Sequence, residues 1–305
     1  MNDKVTISTF QLFQMFPDQE SARIYLESRI WANGVKCPHC YTSDRITIRK
    51  AGYYRCNACK EDFTVRTGTI FGRSHVPLHK WLYAMYLLIT ARKGISSMQL
   101  SKEIGITQKS AWFVLQRIRE ACGNDLTMLR GIVEIDETYI GGIEKNKHES
   151  KKLKAGRGTV GKTAVVGMRE RGGKTIAMPV TNTDRETLKQ AVQENVIEGS
   201  MLHTDEHSGY ASLDATYIRE SINHSGGEYK RGSVTTNGIE SVWAVLKRGL
   251  HGIYHHASDK HLARYVDEFT FRLNDGNVKR HTLERLESLV SLVNGRRITY
   301  KQLTA

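Results

Sequence analysis

The stretch Gly131-Ile-Val-Glu-Ile-Asp136-Glu-Thr-Tyr-Ile140-Gly-Gly142 alternates apolar and polar side chains and stops at a glycine pair. Period-two alternation is the pattern of a strand with two chemically different faces, and the glycines supply the turn that ends it. Asp136 then lies near the end of the strand, with Glu134 on its face and Glu137 on the other. Downstream, residues 163–168 and 174–180 flank Arg-Gly-Gly and read as a hairpin. Residues 184–196 read as a helix, and residues 200–204 as a short strand running into Asp205-Glu-His-Ser-Gly-Tyr210. Strands interleaved with helices in this order predict the α/β class, a mixed sheet covered by helices.

A third segment completes this region: Thr235-Thr-Asn-Gly-Ile-Glu240-Ser-Val-Trp-Ala-Val-Leu-Lys247-Arg248. Ile239, Val242, Trp243 and Leu246 form a helical apolar stripe suited to packing on the sheet. Seven residues make almost two helical turns, so Glu240 and Lys247 share one edge. Three carboxylates from separate elements, Asp136, Asp205 and Glu240, can converge on a pair of Mg2+ ions roughly 3.5 to 4 Å apart. On this reading Asp136 bridges the ions, Asp205 and Glu240 bind one each, and Lys247 holds a DNA phosphate. Two alternatives stay open. Glu134 or Glu137 could replace Asp136 as ligand, and Asn237-x-x-Glu240 is also a capping-box pattern that would explain Glu240 without catalysis.

Working outward toward the N-terminus, Cys37-Pro-His-Cys40 and Cys56-Asn-Ala-Cys59 are spaced C-x2-C-x15-C-x2-C. Each pair puts two thiolates on one tight turn, and two pairs close a tetrahedral Zn2+ shell with no open position, the arrangement of a structural zinc ribbon. Residues 45–49 and 52–55 read as its short strands, with Tyr53, Tyr54 and Phe63 available to cover the metal and His39 left at the surface. Cys122 is a fifth, isolated cysteine and reads as a small buried apolar residue.

Residues 78–91 form an apolar helix carrying Trp81, Tyr83 and Tyr86. The stretch from Ser97 to Arg119 then reads as a helix-turn-helix. Gly105 takes the turn, Thr107 caps the second helix, and Leu100, Ile104, Ile106, Ala111 and Val114 lie where the two helices pack. The exposed face is expected to present Gln108, Lys109, Ser110, Arg117 and Arg119 to DNA. A Lys-rich stretch at 144–162, with Lys151, Lys152, Lys154 and Arg157, has no apolar periodicity and reads as a basic loop. Together with Arg248 it adds further phosphate-binding charge.

Composition agrees with a polyanionic partner. Lys and Arg number 45 against 32 Asp and Glu, a formal charge of +13 over 305 residues, and neutralising phosphates releases condensed counterions. Residues 1–16 lack the charged start and continuous apolar run of a secretory leader, and the longest apolar run, 81–89, is too short to span a bilayer. A cytoplasmic, nucleoid-associated protein without membrane contact is the expectation. The order His261-Leu-Ala-Arg264 followed by Tyr300 mimics a tyrosine recombinase, but that chemistry needs a second activating arginine and a firmly held tyrosine.

The zinc ribbon, Val133-Glu-Ile-Asp136-Glu-Thr-Tyr-Ile-Gly-Gly142, His203-Thr-Asp205-Glu-His-Ser-Gly-Tyr210 and Thr236-Asn-Gly-Ile-Glu240-Ser-Val-Trp243-Ala-Val-Leu-Lys247-Arg248 together resemble a bacterial insertion-sequence transposase related to the Merlin superfamily. The resemblance runs from Phe16 to about Asn274 and takes in His251-Gly-Ile-Tyr-His255-His and Arg264-Tyr-Val-Asp-Glu-Phe-Thr-Phe-Arg272-Leu-Asn274. It implies an RNase H-like catalytic core, a DDE triad, and cleavage and joining at terminal inverted repeats. It also implies that water frees a 3′ hydroxyl, which attacks target DNA with no covalent enzyme intermediate, and that a homodimer or larger assembly holds the two ends. Members with Asn or His at the third acidic position make Asn237 a rival or helper for Glu240. The expected organisation is an N-terminal helical segment (1–34), the ribbon (35–70), the helix-turn-helix region (71–125), the catalytic domain (130–275) and a helical tail (276–305).

Overall fold

The computed structural model describes residues 6–123, 127–142, 148–152, 158–223, 226–227 and 230–305. The chain divides into two compact units: residues 1–124 with 275–305, and residues 125–274.

The first unit opens with helices α1 (Thr9–Met15) and α2 (Gln19–Ile30), each started by a capping box, at Ser8 and Asp18. Strands β1 (Ile46–Lys50), β2 (Tyr53–Cys56) and β3 (Asp62–Phe63) form a three-stranded antiparallel sheet. Tyr54 and Phe63 stack at 5.5 Å over the buried Cys37 and Cys56, whereas Tyr53 faces solvent. Helix α3 (Leu78–Thr90) is buried on nearly every side, as its apolar sequence requires. Helices α4 (Ser97–Ile104) and α5 (Gln108–Cys122) follow. Gly105 ends α4 in the left-handed conformation (φ 61°), and the Thr107 hydroxyl caps α5 by accepting the Ser110 N–H at 3.2 Å. Cys122 is buried.

One expectation for α5 is corrected. Lys109 is exposed and Ser110 half-exposed at its start, but Arg117 and Arg119 are 2% and 1% exposed and cannot face DNA. The Arg117 guanidinium donates to the carbonyls of Ile70 (2.7 Å), Gly72 (2.9 Å) and Ile298 (3.1 Å). Its planar fork pays its desolvation by satisfying three main-chain acceptors, a structural role that side-chain type alone does not reveal.

The second unit is a five-stranded mixed sheet. Strands β4 (Ile132–Ile140), β5 (Thr163–Glu170) and β6 (Thr175–Val180) are antiparallel, and β7 (Met201–Asp205) and β8 (Ile218–Ile222) run parallel to β4. The order β6-β5-β4-β7-β8, with β4 central, is that of an RNase H-like core. On one face, Val133, Ile135 and Leu202 pack with Leu188 and Val192 of helix α6 (Arg185–Asn195) and with Tyr210 and Leu213 of the 3-10 turn Ser208–Leu213. The other face is covered by α7 (Asn237–Gly249) and α8 (Asp259–Leu273), through Ile239, Val242, Trp243, Leu246, Leu262, Val266 and Phe269. Gly167 permits this approach, since a Cβ there would lie 2.3 Å from the Trp243 ring.

Helices α9 (Thr282–Ser291) and α10 (Tyr300–Thr304) belong to the first unit. Arg285 of α9 donates to the Ile89 carbonyl at 2.8 Å, and Tyr300 packs against Trp112 and Phe113. Tyr300 therefore sits in an aromatic cluster, in a different unit from His261 and Arg264. Of the basic-loop residues, Lys152 pairs with Glu149 at 2.7 Å; Lys154, Arg157 and the side chain of Lys151 lie outside the described residues. No helix among the described residues is long and apolar enough to cross a membrane.

Candidate active site

Sheet topology brings the first two acids together. Strand β7 pairs with β4 only from Ile132 to Glu134 and ends at Asp205, so β4 runs on with that edge open. Asp136 and Glu137 occupy the open edge, and each offers an oxygen to a group, shared with Asp205, whose atoms all lie within 4.8 Å of one another. Oxygens around an octahedral Mg2+ at about 2.1 Å sit roughly 3 to 4 Å apart, so this donor set fits a hard divalent cation.

Trp243 fixes Asp136. The indole lies over Gly167, the register partner of Asp136, and its Nε1 donates to Asp136 Oδ2 at 2.9 Å. Burial raises the Asp136 carboxyl to about 6; the Glu137 and Trp243 N–H groups pull it down, and the charges of Asp205 and Glu240 push it up. Glu137 rises to about 7, again chiefly by burial, with the neighbouring Tyr210 hydroxyl opposing and Asp205 and Asp136 adding to the rise. Asp205 is steadied by the His207 N–H, at 3.0 Å.

Glu134 is not a free ligand. It is 4% exposed; its Oε2 accepts the Ile239 N–H of α7 at 3.1 Å and its Oε1 meets Arg171 at 3.1 Å. A carboxylate against first-turn N–H groups favours the helix terminus there, and Gly238 makes room, since a Cβ would come 2.3 Å from Glu134 Oε2. Glu134 thereby seats the helix that carries Glu240.

Glu240 is exposed, outside the group formed by Asp136, Glu137 and Asp205, but close enough for its charge to act on Asp136. The cap of α7 is Thr236 and not Asn237, which is the first helical residue and is exposed; Glu240 Oε1 accepts the Thr236 hydroxyl at 3.0 Å. Lys247 and Arg248 are exposed farther along α7. Lys247 lines a cleft of about 150 Å³ with Tyr139, Gly142, His251, His255 and His256.

The cysteines form a second centre. Cys37 and Cys59 sulfurs lie 3.7 Å apart and those of Cys40 and Cys56 3.6 Å, with all four mutually within 4.8 Å. Tetrahedral Zn–S bonds of 2.3 Å imply sulfurs about 3.8 Å apart, so the geometry fits zinc. The Cys59 N–H leads in drawing the Cys56 thiol down to about 6, against the opposing effect of burial. His39 is exposed.

Residues 128–274 match the ISXO2-like transposase domain and residues 17–62 the transposase zinc-ribbon domain. A protein in the transposable element ISH50 of Halobacterium salinarum is 30% identical over 271 residues, 84% of this chain and 90% of that one. The chain belongs to the ISXO2-like transposase family. The two metal-fitting clusters thus fall within, respectively, the zinc-ribbon domain and the transposase domain of an insertion-sequence transposase. Two solved structures, the Mos1 strand transfer complex and a pre-cleavage Mos1 transpososome, are 12% and 14% identical. They cover 63% and 69% of this transposase and 75% and 78% of their own chains, each with a TM-score of 0.23. At that score the likeness carries no weight.

Sequence reasoning placed Trp243 in the core stripe and missed its hydrogen bond to Asp136; helical periodicity reports the side facing the sheet, not where an indole N–H ends. The involvement of Tyr210 was equally hidden, because Glu137, the carboxylate whose charge it senses, lies far away in sequence.

Proposed function

We propose that this transposase binds the terminal inverted repeats of its insertion sequence and performs metal-dependent strand cleavage and strand transfer by a DDE mechanism. Asp136, Asp205 and Glu240 are the metal-binding acids. The observation that carries the reading is the convergence of Asp136 and Asp205 at the open edge of β4, within the domain matched as transposase. Bound Mg2+ would activate the attacking oxygen and stabilise the leaving one. The chain's own groups do the rest: Trp243 holds the Asp136 carboxylate in one orientation, Glu134 fixes the start of α7 so that Glu240 faces the site, and Lys247 meets a backbone phosphate. Asn237, exposed at the first position of α7, is the helper at the third acid.

Zn2+ held by Cys37, Cys40, Cys56 and Cys59 keeps the ribbon folded. Lys109 at the start of α5, Arg248, and the basic stretch around Lys152 contact DNA, and synapsis of two ends calls for a homodimer or larger assembly.

The test is a cleavage assay with purified protein on DNA carrying the inverted repeats that flank the gene, with Mg2+ or Mn2+. Nicking at the element ends that disappears in Asp136→Asn supports the reading. Tight end binding without nicking in either metal would leave a DNA-binding regulator instead.

A further inference from the structure

We propose that Glu137, oriented by the Tyr210 hydroxyl, is an additional metal-binding carboxylate of this site and closes, with Asp136 and Asp205, one divalent-cation position. The proposal rests on the metal-dependent reading above and adds a ligand from the opposite face of the sheet. Asp136 shares the face of Trp243 and α7, whereas Glu137 shares the face of Val133 and Ile135, against α6 and the Ser208–Leu213 turn. Side chains on opposite faces of a strand ordinarily cannot meet. Here they do, because β7 stops pairing after Glu134 and both carboxylates bend round the vacated edge toward Asp205.

Two buried atoms point to a missing partner. Glu137 Oε1 is buried and has no hydrogen-bond partner among the described residues. Beside it lies the Tyr210 hydroxyl, on a ring with 0% exposure, also without a partner. Leaving either group unsatisfied in the interior is costly, and two such groups side by side are seldom tolerated without a use. A cation at the Asp136–Glu137–Asp205 position supplies the partner for the carboxylate. Drawn toward the cation, Glu137 remains within reach of the phenol, which donates to its outer oxygen as outer-shell groups do for metal ligands. Glu240, outside this trio, is left to serve a second cation on the α7 side.

Calorimetric titration of Mn2+ into the full-length, zinc-loaded transposase without DNA tests this, alongside melting temperatures measured without Mn2+. Glu137→Gln should weaken Mn2+ binding roughly 100-fold and Tyr210→Phe about tenfold, as loss of a ligand and of its outer-shell support. Neither variant should melt below wild type, since Tyr210→Phe deletes a buried hydroxyl that has no partner and Glu137→Gln keeps the shape of the side chain while removing a carboxylate that burial disfavours. Wild-type affinity in Glu137→Gln, with binding lost in Asp136→Asn, would overturn the role of Glu137 and leave the metal-dependent reading standing. Wild-type affinity in Asp136→Asn as well would overturn both.

Discussion

The cysteine centre and the carboxylate centre solve the same problem, gathering negatively charged ligands around a cation, in opposite ways. The thiolates come as two local pairs on turns beside β1, β2 and β3, with spacing short enough to be read directly from the chain. The carboxylates come from β4 and β7, with Glu240 on α7, and meet only because the sheet sets those strands side by side. The cysteine centre has few other contacts to hold its fold, a cluster of Tyr54, Phe63, Trp31, Val35 and Ile46. The carboxylate centre sits on a sheet buried on both faces. Zinc should therefore be structural and the second cation dispensable for folding.

The contrast can be broken most sharply at Cys56. Cys56→Ser should remove most of the zinc-supplied folding energy of the ribbon, on the order of 10 kcal/mol, and abolish specific end binding. Zinc content, ribbon proteolysis and a gel-shift measure this; a protease-resistant, end-specific variant would refute a structural role. Next in size, Asp136→Asn should lower cleavage roughly 1,000-fold, about 4 kcal/mol of barrier, while the melting temperature without metal does not fall. Unfolding of that variant would show that both centres are structural.

A smaller effect separates the two centres by pH. Asp136 and Glu137 are held at about 6 and about 7, above their values of about 4 in an unfolded chain. Between those limits the folded state binds more protons than the unfolded one. Their stabilising contribution is thus complete below about pH 4 and is lost as pH rises through 6 to 7. Without Mg2+, wild type should lose on the order of 2 kcal/mol more than an Asp136→Asn, Glu137→Gln double variant between pH 4 and 7. Mg2+ should cancel the difference; parallel denaturation profiles for the two proteins would contradict it. The smallest expected change is at Trp243. Trp243→Phe keeps the ring over Gly167 but removes the bond to Asp136, and should slow cleavage about tenfold with roughly 1 kcal/mol lost from stability. An unchanged rate would show that Asp136 needs no such restraint.

Local chemistry was legible in the sequence. The C-x2-C pairs declared the ribbon, alternation from Gly131 to Ile140 declared β4, and Gly105 and Thr107 marked the turn between α4 and α5, because each depends on residues within a few positions of one another. The α/β class and the pairing of Asp136 with Asp205 also followed from motif order. What the chain could not declare by itself was who faces whom. Arg117 and Arg119 have the chemistry of DNA contacts, yet tertiary packing buries both, and Arg117 is committed to carbonyls as far away in sequence as Ile298. Glu134 and Glu137 flank Asp136 with equal standing in sequence. The arrival of the Ile239 N–H commits Glu134 to holding α7, and the early end of β7 frees Glu137 to join Asp205. Side-chain type and spacing are properties of the chain, but which neighbour satisfies a carboxylate is settled only when distant strands and helices close around it.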